Sequence, residues 1–287
     1  MASDLKSWAD SASFLTNVKV GGHRGCVGAA PENTIRAFNE AFDAGAQLIE
    51  LDVALTRDDV IVVIHDTWTG RTANKNKRVT DCTWAELSHL QLTDPAGGKS
   101  EKISALEDVL HWAKKRNIKV VIDVKEYSEK IVKGICRLIR RNEMHSLVCV
   151  ASFHPLVPLF MKKLDPDIFT GITYRRWAKS TIDDSDSVAS RPVMLNVIDV
   201  IMDTIFYFLI RSLILPYCLG VDLILANHTD VSILFARSVH NAGFEVLAWT
   251  VNKVPEALFL NSIGVPFLTD KPKEIIKALN NPAFTNL

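Results

Sequence analysis

The chain has 287 residues, enough for two small domains or for one α/β barrel of about 250 residues. Lys and Arg together number 33, as do Asp and Glu, so there is no net basic field and no nucleic-acid partner is predicted. A hydrophobic share of 48% excludes disordered and collagen-like classes, and five scattered cysteines without a CxxC pair predict neither a disulfide framework nor a structural zinc site.

Short apolar runs alternate with helical stretches along the chain, which is the pattern of a parallel sheet with crossover helices. Eight strands are predicted, at Val18–Gly22, Gln47–Val53, Val60–Ile64, Ile118–Val124, Leu147–Ser152, Phe169–Tyr174, Glu245–Val251 and Pro266–Thr269, with "VDLILANH" as a ninth candidate. The pattern predicts a closed TIM (β/α)8 barrel as a single domain over residues 18–280, after a lead-in of residues 1–17. That lead-in contains acids and no long apolar run, so we expect no secretory signal there.

An apolar helical insertion is predicted over residues 178–219, before the seventh strand. Its residues 194–219, "MLNVIDVIMDTIFYFLIRSLILPYCL", are the most apolar stretch of the chain. Arg211 and two acids interrupt the stretch, so a membrane-spanning helix is disfavoured. Two interpretations stay open: a helix pair that covers part of the barrel, and an apolar lip that contacts a membrane surface.

Acidic residues occur inside two of the predicted apolar strands. Glu50 and Asp52 are two residues apart and therefore lie on one face of their strand. If that face is the barrel interior, the buried anions need a cation, and Mg²⁺ or Ca²⁺ is the simplest one. Asp123 is a candidate third carboxylate. The alternatives are a solvent-facing strand end for the first pair and an internal ion pair between Asp123 and Lys125.

Histidines and cations occupy the predicted ends of the same strands, where functional side chains of such barrels lie. His23 and His65 flank the acidic strand, and imidazole exchanges protons near neutral pH. A lone histidine is more often a packing residue, and a zinc site made from this pair lacks the HExxH spacing. Arg24 offers a planar fork for phosphate and Lys125 a point charge. The combination predicts attack on a phosphate ester.

Six motifs, in order from about Lys19 to Pro272, resemble those of the glycerophosphodiester phosphodiesterases: "GGHRG", "APENTIRAF", "IELDVALTRDDVIVVIHD", "VVIDVK", "AWTVN" and "LTDKP". The likeness is greatest to the membrane-associated animal branch, the glycerophosphodiester phosphodiesterase 1 type. The resemblance implies a TIM barrel and a divalent-metal phosphodiesterase that cleaves glycerophosphodiesters to glycerol 3-phosphate and an alcohol. Glycerophosphoinositol and glycerophospho-N-acylethanolamine are the substrates that the branch implies.

Residue by residue, the resemblance implies catalytic roles for His23 and His65 and a phosphate contact for Arg24. It implies metal ligation by Glu50 and Asp52.

Asp123 stands where the family usually has the Glu of an "E-x-K" motif, followed here by Lys125, so it reaches the ion with one methylene less. Trp249 matches an aromatic at the barrel mouth that contacts the substrate, with ordinary barrel core as the alternative.

The expected cofactor is one divalent cation, Mg²⁺ first and Ca²⁺ second. The expected partner is a glycerophosphodiester or lysophospholipid, with peripheral membrane contact through residues 194–219 and an otherwise cytoplasmic location. Two alternative functions stay open. One is a lysophospholipase D at a membrane surface, in which the apolar stretch receives an acyl chain. The other is a non-catalytic barrel that binds a phospho-ligand.

Overall fold

The structure is a computed structural model that describes residues 14–95, 97–176 and 193–282. Its strands are β1 (Val20–His23), β2 (Leu48–Leu55), β3 (Ile61–Val63), β4 (Gln91–Leu92), β5 (Glu101–Lys102), β6 (Ser104–Ala105), β7 (Lys119–Val124), β8 (Val148–Ser152), β9 (Phe169–Tyr174), β10 (Leu223–Asn227), β11 (Glu245–Trp249) and β12 (Phe267–Thr269). Its α-helices are α1 (Ile35–Asp43), α2 (Trp84–Leu87), α3 (Leu106–Arg116), α4 (Glu129–Arg141), α5 (Leu156–Leu164), α6 (Val193–Arg211), α7 (Ile214–Leu219), α8 (Ile233–Asn241), α9 (Val254–Ser262) and α10 (Pro272–Leu279).

Eight parallel strands close into a barrel, in the order β1, β2, β7, β8, β9, β10, β11 and β12, with β12 paired back to β1. Helices connect successive barrel strands, so the predicted TIM barrel is confirmed. At the first βα connection, the Thr34 side chain accepts a hydrogen bond from the backbone of Ala37 and caps α1.

The predicted membership of the barrel is wrong at one strand. The predicted third barrel strand, Val60–Ile64, contains β3 (Ile61–Val63), which pairs antiparallel with the last residues of β2 and not with a barrel neighbour. Only a tight turn over residues 56–60 joins β2 to β3, which is too short for the crossover that a parallel neighbour requires. The ninth candidate, "VDLILANH", contains β10, which pairs in parallel with β9 and β11 and therefore completes the eight strands of the barrel.

The apolar helical segment precedes the sixth barrel strand, and not the seventh as predicted. Helices α6 and α7 lead into β10, the ninth candidate, which stands between them and the seventh barrel strand β11. Ile210 and Leu219 are buried in the core cluster that covers the outer barrel wall around β9 and β10. Part of the segment therefore covers the barrel as a helix pair, whereas residues 178–192 of the predicted insertion lie outside the described residues.

Seven residues between Val197 and Phe208 on α6 are apolar and between 39% and 64% exposed: Val197, Ile198, Val200, Ile201, Met202, Ile205 and Phe208. In the part of the chain that the structure describes, no helix combines the length and apolarity needed to cross a membrane.

Apolar side chains fill the barrel interior, including Leu48 on β2 and Val121 on β7, and Phe14 from the lead-in packs into the same cluster. Successive side chains of a strand alternate between its two faces. Positions two and four beyond Leu48, and two beyond Val121, therefore point into the barrel nearer the carboxyl ends of the strands. Those positions hold the acids Glu50, Asp52 and Asp123.

Candidate active site

Three carboxylates meet inside the mouth of the barrel. Strands β2 and β7 pair in parallel with Asp52 opposite Asp123, and Glu50 lies one step deeper. One ligand oxygen from each of the three lies within 4.8 Å of the others, and all three side chains are buried. Within the described ranges, this is the one group of three or more His, Cys, Asp or Glu side chains arranged to hold an ion. The solvent-facing alternative for Glu50 and Asp52 is therefore wrong.

Asp52 lies at the centre of the polar contacts. Its Oδ2 accepts a hydrogen bond from Asn33 Nδ2 at 2.9 Å and lies 3.2 Å from Arg24 Nε, while Lys125 Nζ lies 2.8 Å from its Oδ1. Asn33 Oδ1 accepts a hydrogen bond in return from the backbone N–H of Asp52 at 3.1 Å. Burial opposes ionisation, but the charges of Lys125 and Arg24 outweigh it and hold the pKa of Asp52 well below its usual range.

Asp123 divides its two oxygens between two environments. Its Oδ2 forms an ion pair with Lys125 Nζ. Its Oδ1 is buried and finds no hydrogen-bond partner in the described part of the chain. A buried carboxylate oxygen without a partner is costly unless a ligand satisfies it. The ion pair with Lys125 is thus present, and it leaves one oxygen of Asp123 available to a cation.

Glu50 is the least compensated of the three acids. Its Oε2 accepts a hydrogen bond from the backbone N–H of Arg24 at 3.0 Å and lies 3.9 Å from His23 Nε2. Burial, followed by the negative charge of Asp52, raises the pKa of Glu50 to about 7. When Glu50 is ionised, the three carboxylates carry one negative charge more than the two cations, Arg24 and Lys125, that contact Asp52 and Asp123. Oxygen donors with excess negative charge are what Mg²⁺ or Ca²⁺ requires.

His23 is held by an acid that the sequence interpretation missed. Asp270 follows β12, the barrel neighbour of β1, and its Oδ1 lies 2.7 Å from His23 Nδ1. Asn252, which follows β11, donates from Nδ2 to Asp270 Oδ2 at 2.6 Å. Burial lowers the pKa of His23, but Glu50 and Asp270 together raise it above its ordinary value.

His65, which follows β3, has a similar acidic partner. Its Nδ1 lies 2.6 Å from Asp66 Oδ1, and Asp66 Oδ2 accepts a hydrogen bond from Arg71 Nε at 2.5 Å. Arg71 also binds Glu32 with both of its terminal nitrogens, at 2.7 and 2.9 Å. Glu32 Oε1 in turn accepts a hydrogen bond from Arg24 Nη1 at 3.1 Å. This chain of contacts links the histidine that follows β3 to the arginine that follows β1.

An aromatic pair forms another part of the mouth. Trp249, at the end of β11, is half-buried, packs on the interior cluster and donates from Nε1 to the carbonyl of Leu225 at 3.1 Å. The Phe153 ring meets the Trp249 ring edge to face, with centroids 5.7 Å apart. Trp249 therefore combines core packing with a partly accessible surface at the mouth.

The glycines around His23 make room for the protein's own packing. A Cβ on Gly21 would lie 2.7 Å from a methyl carbon of Leu268, inside the barrel. Gly25 has a φ of +90°, and a Cβ there would lie 2.6 Å from the Ala37 backbone on α1. Because glycine has no Cβ, Leu268 can pack closely against β1, and α1 can pack closely against the loop that follows β1.

The geometry thus unites a candidate cation site, an arginine, a lysine and two histidines at one barrel mouth, a combination suited to the hydrolysis of a phosphate ester. The sequence model of the Glycerophosphoryl diester phosphodiesterase family matches residues 23–274 of the chain. The chain belongs to this family.

Relatives agree with this membership, and a solved structure shares the fold. Glycerophosphodiester phosphodiesterase 1 of Homo sapiens is 28% identical over 261 residues, which cover 88% of this chain and 77% of the human protein. The protein YhdW of Bacillus subtilis is 32% identical over 260 residues, covering 89% of this chain and 95% of YhdW. The structure of an Oleispira antarctica phosphodiesterase in complex with the product sn-glycerol-3-phosphate has a TM-score of 0.74 at 21% identity, with 94% of this chain and 99% of that chain covered.

As a member of the Glycerophosphoryl diester phosphodiesterase family, the chain is a phosphoric diester hydrolase. The structure brings seven of the eight predicted site residues into one network of contacts, and the eighth, Trp249, lies at the same mouth. Their individual roles stay predictions. Glu32, Asn33, Arg71, Asn252 and Asp270 complete the site.

Proposed function

We propose that the chain hydrolyses glycerophosphodiesters of the glycerophosphoinositol or glycerophospho-N-acylethanolamine type to sn-glycerol 3-phosphate and an alcohol, with one Mg²⁺ held by Glu50, Asp52 and Asp123. The observation that carries the proposal is the buried carboxylate trio, whose charge Arg24 and Lys125 do not fully balance. The product bound to the Oleispira antarctica relative supports the choice of product.

The small number of protein oxygens favours Mg²⁺ over Ca²⁺. Mg²⁺ keeps several water ligands and binds substrate phosphate beside its protein ligands, whereas Ca²⁺ takes six to eight oxygen ligands. The trio supplies one oxygen each, with Asp123 Oδ1 already lacking a partner. The bound ion would polarise a phosphoryl oxygen and offset the charge that develops there. An ion of charge +2 held by these residues would also turn the excess negative charge of the site into an excess positive charge, which would favour a phosphodiester anion.

The chain's own residues orient the phosphate and move the protons. Asp52 and Glu32 fix two nitrogens of the Arg24 guanidinium, so its fork is held rigidly at the mouth. His23 and His65 each direct Nδ1 to a carboxylate, which leaves Nε2 for the substrate. One histidine accepts the proton of the attacking oxygen, and the other donates a proton to the departing alcohol.

Restoring metals to an EDTA-treated enzyme tests the proposal. Turnover of glycerophosphoinositol should vanish in EDTA and return with Mg²⁺, with less or none in Ca²⁺, and Mn²⁺ serves as a further comparison. Asp123→Asn should need a higher Mg²⁺ concentration for half-maximal activity. Glu143→Gln, at a side chain that is 86% exposed, is the control. Unchanged turnover in EDTA would contradict the metal role, and binding without turnover would favour the non-catalytic barrel.

A second candidate substrate is a lysophospholipid taken from a membrane surface. Arg211, the last residue of α6, donates from Nη1 to the Asp230 carbonyl at 2.9 Å, and Asp230 follows β10 on the mouth side. Phe208, one of the exposed apolar residues of α6, precedes Arg211 by one helical turn and therefore lies near the active-site end of the barrel. Exposed apolar surface of this kind is typical of membrane contact. Peripheral attachment through this helix, otherwise with a cytoplasmic location, is part of the proposal.

Two phenylalanine substitutions separate these substrates. Phe208→Asp on α6 should lower turnover of lysophosphatidylcholine in vesicles and leave soluble glycerophosphoinositol turnover unchanged. Phe259→Asp on α9 is the matched control, because Phe259 is also an exposed helical phenylalanine, at 42% against 64% for Phe208. Equal effects of the two substitutions on vesicle turnover would contradict a membrane-facing α6.

A further inference from the structure

Asp270 is the residue directly after β12, and its side chain points toward the barrel interior, as that of Leu268 does two positions earlier. Strand β12 pairs with β1 so that Gly22 lies opposite Thr269, which places Asp270 beside His23 at the mouth. The two residues are 247 positions apart in sequence, so closure of the barrel creates this contact.

Asp270 is itself fixed by a reciprocal pair of hydrogen bonds. Asn252 Nδ2 donates to Asp270 Oδ2 at 2.6 Å, and the backbone N–H of Asp270 donates to Asn252 Oδ1 at 2.9 Å. The Thr269 hydroxyl donates to the same Asn252 oxygen at 3.1 Å. The carboxylate therefore has one defined orientation, with Oδ1 directed at the imidazole.

This contact sets which ring nitrogen of His23 carries the proton. A carboxylate accepts hydrogen bonds, so Nδ1 is the donor at 2.7 Å, and in the neutral ring Nε2 is then the acceptor. His23 Nε2 lies 3.9 Å from Glu50 Oε2 and so faces the carboxylate trio. The same ring without Asp270 could rotate or exchange tautomers, and a misdirected Nε2 would exchange no proton with substrate.

We propose that Asp270, held by Asn252, is a positioning residue that fixes the tautomer and orientation of His23 for proton transfer. The inference rests on the proposed function, because it requires that His23 acts on the phosphodiester. Asp270 works through His23 and does not touch the substrate. An acid that orients a histidine in this way supplies part of the barrier reduction without taking up the proton itself.

Single variants give the first test. Asp270→Ala should lower kcat by about 10²-fold with little change in KM, because misplacing a catalytic group costs on this order. Asp270→Asn should lose nearly as much, since its amide can donate to Nδ1 and favour the wrong tautomer. Asn252→Ala should show a smaller loss in the same direction. Asp43→Ala, at an exposed residue of α1, is the surface control. Wild-type kcat in Asp270→Asn would overturn the proposal.

A double-mutant cycle gives the decisive test. In the His23→Ala background, Asp270→Ala should cause no further loss, whereas in the His65→Ala background it should again cost about 10²-fold. A further loss in the His23→Ala background would show that Asp270 acts on substrate or metal directly and would overturn the proposal. Near-normal turnover of His23→Ala alone would instead refute the proposed role of His23, so the two failures are distinguishable.

Nitrogen-15 NMR of the histidine rings supplies a readout that a purely structural role would not move. At a pH high enough for the ring to be neutral, the wild type should show His23 protonated on Nδ1 alone, and Asp270→Ala should show mixed tautomers at the same urea unfolding midpoint. An unchanged tautomer in Asp270→Ala would overturn the proposal. If Asp270→Ala does not fold, the same comparison is made with Asp270→Asn.

Discussion

Replacing Glu50 with Gln should stabilise the metal-free protein at alkaline pH. Glu50 is 4% exposed, and burial together with Asp52 raises its pKa from 4.5 to about 7. The folded state holds the Glu50 proton more tightly than the unfolded state does. The free energy of unfolding therefore falls as pH rises from about 4.5, the unfolded pKa, through about 7, the folded pKa. Well above pH 7 the difference corresponds to about 3 kcal/mol of destabilisation. Gln carries no charge and escapes this cost.

Urea unfolding in EDTA at pH 6 and pH 8 measures the effect. We expect Glu50→Gln to exceed the wild type in unfolding free energy by up to about 3 kcal/mol at pH 8 and by less at pH 6. Added Mg²⁺ should stabilise the wild type far more than Glu50→Gln, because the variant lacks one ligand. Glu143→Gln should match the wild type throughout. Equal stability of Glu50→Gln and wild type at pH 8 in EDTA would refute the electrostatic reasoning, and equal stabilisation by Mg²⁺ would refute the ligand role.

Three further predictions concern turnover and stability. His65→Ala should lower kcat on glycerophosphoinositol by at least about 10²-fold while Mg²⁺ binding, followed by calorimetry, persists; near-normal turnover would exclude proton transfer by this residue. Arg24→Lys should lower kcat/KM, because one ammonium cannot replace the nitrogens that contact Asp52 and Glu32, and unchanged kinetics would show that the fork is not needed. Trp249→Phe should cost about 1 kcal/mol in urea unfolding through its lost hydrogen bond to the Leu225 carbonyl, and no loss would argue against that bond.

Local pattern predicted most of the barrel because each parallel strand is a short apolar run of its own. It failed at Ile61–Val63, whose apolar run is the same whether the strand enters the barrel or folds back on β2. The length of the connection distinguishes the two cases, because the residues between Leu55 and Ile61 are too few to form the crossover helix that a parallel neighbour needs. Counting that connection would have favoured Leu223–Asn227 as the barrel strand.

Each member of the carboxylate trio could be picked out because it is an acid inside an apolar strand. Glu50 and Asp52 share a face by the alternation of a strand, and Asp123 is an acid within an apolar run. Asp270 was missed because its contact with His23 depends on which strands become neighbours when the barrel closes. Its sequence signal was nonetheless present, as an acid directly after the apolar strand "PFLT".

The contacts of Asn33 and Arg71 were harder to predict from the sequence than those of Asp270. Asn33 lies in the loop that leads to α1, and its side chain turns back to Asp52 from a positive φ of 59°. Arg71 lies in the long polar connection after β3, and its contacts with Glu32 and Asp66 depend on how that connection folds over the mouth. Neither spacing nor polarity distinguishes these residues from ordinary loop residues.

The most direct test of the central claim is phosphorus-31 NMR of the products formed from glycerophosphoinositol by the metal-stripped enzyme, before and after addition of Mg²⁺. We predict no reaction before the addition, and afterwards a single new phosphomonoester, sn-glycerol 3-phosphate, with free inositol. Product formation in EDTA, or inositol phosphate with free glycerol after Mg²⁺ is added, would contradict the proposed reaction.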